Sequence, residues 1–146
     1  MNKITDPAVE SLFFVLLRTA RELEERMEAA FAEVGLSSAR YGVLEQLARA
    51  REPLPLGELA TRLQCVRSNM TQLVDRLEAD ELVRRVADPS DRRSVRAELT
   101  AKGQERQRVG AECLRRVESE FEASLSAEDR MMLERVLAVL GTNTRR

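Results

Sequence analysis

From about Ala8 to Val34 the apolar residues Leu12, Leu16, Ala20, Leu23, Met27, Phe31 and Val34 recur three or four positions apart, with Arg21, Glu22, Glu24 and Glu25 between them. That spacing predicts one long amphipathic helix. Gly35 predicts its stop, because glycine accepts the left-handed backbone of a helix C-terminus. Ser37 or Ser38 can cap a second helix whose buried side is Tyr41, Leu44, Leu47 and Ala48, and Pro53 and Pro55 then read as a sharp connector. Leu56, Leu59, Ala60 and Leu63 describe a short third helix, and Gln64, Cys65 and Val66 its turn. A fourth helix is predicted from about Arg67 to Ala79, with Met70, Leu73, Val74 and Leu77 as its apolar stripe and polar residues on the other faces.

The period then changes. Leu82 to Val86 reads as a strand, Asp88-Pro89-Ser90-Asp91 as a turn, and Ser94 to Leu99 as a second strand in which Val95, Ala97 and Leu99 alternate with Arg96 and Glu98. Helix, turn, helix and basic hairpin in that order predict a winged helix. Thr100 can cap a long helix running through Val109, Cys113, Leu114, Val117, Phe121 and Leu125. Ser126 begins a last one, striped by Met132, Leu133, Val136, Leu137 and Leu140 and expected to end before Gly141. The fold class is therefore mainly α with a small β-hairpin wing (α+β). The first helix and the last two carry more apolar stripe than so small a core can cover, which points to a second copy of the chain.

Composition narrows the chemistry. The 146 residues suit one domain, with 43% hydrophobic and 34% charged side chains and few Gly or Pro. There is no His, which removes the usual general base, the commonest zinc ligand and every Ser-His or Cys-His nucleophile. An enzyme is not expected, nor a cofactor, since neither a metal-ligand cluster nor a phosphate-cradling Gly loop is present. Cys65 and Cys113 form no CxxC pair and suit a reducing compartment. The run Leu12 to Leu17 is shorter than a signal-peptide core and follows Asp6 and Glu10 rather than basic residues, and no segment has the ~20 apolar residues of a membrane span. A cytoplasmic protein is expected.

The net charge of -1 conceals an uneven distribution. Residues 1 to 60 hold seven basic and ten acidic side chains, whereas residues 61 to 96 hold eight and six, and all eight of those bases are Arg. Affinity for nucleic acid depends on where charge sits rather than on its sum.

The segment Asp88-Pro-Ser-Asp-Arg-Arg-Ser-Val-Arg-Ala-Glu-Leu-Thr-Ala-Lys-Gly103 resembles the wing and following helix start of the MarR family of bacterial transcriptional regulators, whose pattern there is close to DPxDRRxxxxxLTxxG. Leu59-Ala-Thr-Arg-Leu63 and Thr71-Gln-Leu-Val-Asp-Arg-Leu-Glu78 are similar to the family's two helix-turn-helix segments, so the resemblance covers nearly the whole chain. It implies one MarR-like domain over residues 1–146, with a winged helix-turn-helix at 36–99 and helical dimerisation regions at 1–35 and 100–146. It further implies a homodimer on pseudo-palindromic promoter DNA, commonly released by a small aromatic or anionic effector. Two positions depart from the pattern. Glu81 stands where the family usually has Gly, at a helix end where a left-handed residue is expected, and Val66 stands where a polar capping residue would be natural.

On this reading the recognition helix offers Arg67, Ser68, Asn69, Thr71, Gln72 and Arg76 to the DNA, where Asn or Gln can pair bidentately with adenine. The wing offers Arg84, Arg85, Asp91, Arg92, Arg93 and Arg96. Arg93 suits a narrow A·T-rich minor groove, with Asp91 orienting its guanidinium through a charge-assisted hydrogen bond, and the remaining arginines meet phosphates or other protein groups. Phe13, Leu16, Tyr41 and Leu47 can border an effector pocket or be ordinary core. Two other functions compete: a winged-helix dimer that binds proteins without binding DNA, and a thiol-based redox regulator using Cys65 or Cys113. Buried, unreactive thiols are the favoured reading of both.

Overall fold

The computed structural model describes residues 11–143. Helix α1 runs Leu12–Glu33, and the expected start at Ala8 lies outside the described residues. Gly35 closes it at φ 70°, with the Leu36 amide donating to Phe31 O and the Gly35 amide to Ala32 O. That is the Schellman arrangement, which uses up the helix's last carbonyls. Ser37, rather than Ser38, caps α2 (Ser38–Ala50), its hydroxyl oxygen accepting from the Arg40 amide at 3.2 Å.

The second helix buries Tyr41, Val43, Leu44 and Leu47, so Val43 takes the place expected for Ala48. The proline connector does more than turn. Leu54–Pro55 forms a short strand, β1, antiparallel to the second wing strand in the register Leu54↔Ala97 and Pro55↔Arg96. Helices α3 (Leu56–Arg62) and α4 (Arg67–Ala79) follow, and then the hairpin of β2 (Val83–Ala87) and β3 (Val95–Leu99). The sheet has order β1-β3-β2, with β3 central and the first hairpin strand one residue later than its expected start.

Thr100 caps α5 (Ala101–Ala123) by accepting from the Gly103 amide at 2.9 Å. Its own hydroxyl reaches the Glu81 carbonyl at 2.6 Å, which ties the helix start to the end of α4. Gly103 is required by that approach, since a Cβ there would stand 1.8 Å from the Leu82 carbonyl oxygen. Ser126 accepts from the Asp129 amide and starts α6 (Ala127–Asn143), which continues through Gly141 instead of stopping before it.

One core joins Phe31, Tyr41, Leu44, Leu59, Met70, Val74, Leu77, Val83 and Ala97, and so seats α1's C-terminal end, α2, the helix-turn-helix and the wing base together. The rest of α1 and all of α6 lie outside it. Leu12 is 85% exposed and Met131 68%, and from Ala127 to Gly141 only Leu133 is even half-buried. No helix among the described residues is long and apolar enough to cross a membrane.

Candidate nucleic-acid interface

Helix α4 spends its apolar stripe on the core, burying Met70, Val74 and Leu77 completely. That fixes its rotation and leaves Arg67, Ser68, Asn69, Thr71, Gln72, Asp75 and Arg76 exposed on its other faces. The Thr71 hydroxyl donates to Arg67 O at 3.1 Å, so its proton is committed to the helix and its lone pairs face outward. Arg67 and Arg76 have no ion-pair partner among the described residues.

The wing arginines divide into two groups. Arg84 and Glu98 stand directly opposite in the hairpin register and form a cross-strand pair at 2.7 Å. Arg85 turns back to the recognition helix, with Nη2 2.5 Å from Asp75 Oδ1, Nη1 2.5 Å from Glu78 Oε2, and its backbone amide donating to Glu78 Oε1 at 3.0 Å. Those donors hold the Glu78 carboxyl below the usual carboxylate range, the backbone amide contributing most. Arg96 is bound to Asp88, only 7% exposed, through Nε at 2.9 Å and Nη2 at 3.3 Å. Arg96 and then the Ser90 hydroxyl and amide keep the Asp88 carboxyl far below its ordinary value.

Arg84, Arg85 and Arg96 therefore brace the hairpin internally. Arg92 and Arg93 stand exposed at its tip without an ion-pair partner among the described residues. The expected link from Asp91 to the Arg93 guanidinium is corrected: Asp91 Oδ1 accepts from the Arg93 backbone amide at 2.9 Å. This is an Asx-type turn, in which a short carboxylate satisfies the amide two residues on. It shapes the loop that carries Arg93 and leaves the side chain free. The partners Asp75, Glu78 and Asp88 were missed from sequence. The signal for the first two was their three-residue spacing, which puts both carboxylates on one side of the helix that precedes the strand.

The four effector candidates do not converge on one cavity. Phe13 and Leu16 are exposed on the N-terminal half of α1, while Tyr41 is buried and stacks on Phe31 with ring centroids 4.9 Å apart. Leu47 lines a cavity of about 560 Å³ between α2, β3 and the start of α5, where Arg51, Gln104 and Arg108 supply polar groups. Cys65 is half-buried beside the recognition helix and Cys113 is buried, and both are free thiols.

The winged-helix geometry has close relatives. The MarR family model matches residues 36–95, from the end of α1 to the wing. The HTH-type transcriptional regulator MhqR of Bacillus subtilis is 35% identical over 92 residues, covering 63% of this chain and 63% of MhqR. Over this winged-helix segment the chain is similar to the MarR family. The crystal structure of AbsC, a MarR family transcriptional regulator from Streptomyces coelicolor, superposes with a TM-score of 0.77 at 28% identity over 91% of each chain. The Staphylococcus aureus MepR–DNA complex gives a TM-score of 0.79 over 91% of this chain and 98% of MepR, and at 17% identity that likeness shows the fold alone. The chain thus spans under two thirds of MhqR, and the curated relatives it matches are named as transcriptional regulators, which are not enzymes.

Proposed function

We propose that this protein is a cytoplasmic, homodimeric transcriptional repressor that places α4 of each copy in the major groove of a pseudo-palindromic promoter site and the wing tip in the flanking minor groove. The observation that carries this reading is the sorting of the arginines. Those at the wing base are consumed by acidic partners, whereas Arg67, Arg76, Arg92 and Arg93 have no ion-pair partner among the described residues and lie on the faces that a winged helix turns to DNA. Within this reading residues 36–99 form the DNA-binding lobe, and residues 1–35 and 100–146 supply the dimer interface. A small effector entering the cavity lined by Leu47, Arg51 and Arg108 would sit between lobe and dimerisation helix, where it can bias one against the other.

Footprinting on the protein's own promoter tests the reading. Two protected half-sites about 10 base pairs apart, with affinity falling steeply as salt rises, are expected of a two-fold protein that neutralises phosphates. Protection of a single half-site, or salt-independent binding, would overturn it. A dimer that shifts no DNA would favour the protein-interaction alternative.

A further inference from the structure

We infer that Val66 is a base-reading residue, contacting the C5 methyl of a thymine in each half-site; the inference rests on the DNA-binding reading above. Val66 is the N-cap of the recognition helix, with extended backbone (φ -72°, ψ 148°) and no side-chain hydrogen bond to the first turn. Three other helices use a hydroxyl here, since Ser37 caps α2, Thr100 caps α5 and Ser126 starts α6, whereas Ser11 of α1 and Pro55 of α3 make no side-chain cap and neither of those helices is a recognition helix. Valine is among the poorest residues at this position, because it offers no acceptor to the free amides.

Packing does not account for the choice. Leu63 and Cys65 on the same turn, and Leu73 farther along, pack against the core, while the Val66 side chain is 61% exposed. It projects beside Arg67, Ser68 and Asn69, all exposed at the same end of the helix. In a helix-turn-helix the N-terminal residues of the second helix meet base edges. The apolar feature those edges present in the major groove is the thymine methyl, and an aliphatic side chain is its complement. A lost cap and an exposed branched side chain, both harmful or idle in the free protein, acquire a common purpose at that contact.

The test uses the full chain. An operator is enriched from random duplexes with wild-type protein, and each thymine of its half-sites is then replaced by deoxyuridine, which removes only the methyl. At one thymine per half-site, wild type should lose about fourfold in affinity, the equivalent of about 0.8 kcal/mol for one buried methyl group. Val66→Ser, which restores a cap, should be indifferent to that replacement while unfolding at a higher denaturant midpoint. Val66→Ala, uncapped but shorter, should also be indifferent, which separates the base contact from the cap. Equal uracil effects in all three proteins, or a half-site without thymine, would overturn the assignment of Val66 and leave DNA binding intact. Failure to enrich any duplex would overturn the DNA-binding reading itself.

Discussion

Glu81 adopts φ 61° at the end of α4, in the left-handed region where a side chain clashes with its own backbone. The Glu81 and Leu82 amides, donating to Glu78 O and Leu77 O, demand that conformation. Its ion pair with Lys102 is exposed and worth little in return. Glu81→Gly should therefore stabilise the protein by roughly 0.5–1 kcal/mol, read as a rise in denaturant midpoint; a fall would show that the side chain contributes more than its exposed contact suggests. That strain was legible in the sequence, since a helix stripe ended there without Gly. The matching left-handed Gln64, φ 52°, was not, because Gln64-Cys65-Val66 read only as a turn, with no Gly or Asn to mark which position turns left-handed. Tyr41 permits a second residue-level test. Burial first, and then the charge and hydrogen bond of Glu45 at 3.2 Å, push its hydroxyl up to about 12. A folded value above the unfolded one means that the associated stability is complete below about pH 10 and is lost as pH rises through about 12, roughly 2–3 kcal/mol in all. As the chain's single tyrosine, it can be followed directly by phenolate absorbance. A midpoint near 10 in the folded protein would refute the buried placement, and Tyr41→Phe should remove the alkaline loss of stability.

At the scale of elements, the wing is held at both ends. Arg85 clamps β2 to α4, and the Thr100–Gly103 start of α5 lies against the Leu82 carbonyl. Gly103→Ala should force the helix away from that carbonyl and cost about 1–3 kcal/mol or more, with the hairpin amides losing hydrogen-exchange protection first. Unchanged stability would mean that the close approach relaxes freely. The tip makes a separate prediction. Because Asp91 holds the Arg93 amide and not its guanidinium, Asp91→Asn, which keeps the accepting oxygen and removes a negative charge near DNA, should bind operator at least as tightly as wild type. Arg93→Ala should weaken binding by about 1–3 kcal/mol without unfolding the wing, on the scale of a good specific contact. Weaker binding by Asp91→Asn would restore a charge-based role for the carboxylate. The hairpin and its arginines were visible in alternation and charge. The division into bracing and free arginines was not, since it depends on which carboxylates the fold brings to β2 and β3. Strand β1 escaped for a related reason: two residues carry no period, and the pairing of Leu54 with Ala97 is a tertiary fact.

For the whole molecule, the decisive feature is how little of α1 and α6 the chain covers by itself. Leu12, Phe13, Phe14 and Leu17 on α1, and Met131, Met132, Val136 and Leu137 on α6, are all about half exposed or more. Apolar surface of that extent is unusual on a stable monomer and marks an association surface. The sequence showed this excess as stripes too long for the core, and the structure adds that α6 and the N-terminal half of α1 contribute no residue to the core that seats α4 and the wing base. A two-fold pairing through them would leave both recognition helices free to reach successive grooves. Leu137→Glu should then convert the protein to a monomer at micromolar concentration in sedimentation experiments, because taking a carboxylate out of water into an apolar interface carries a large desolvation cost. The winged-helix lobe, whose core lies elsewhere, should keep its fold. Operator affinity should fall by about 10²–10⁴, because the second half-site is no longer delivered by an attached copy at high effective concentration. A dimer that persists with unchanged affinity would show that α6 covers something other than its twin.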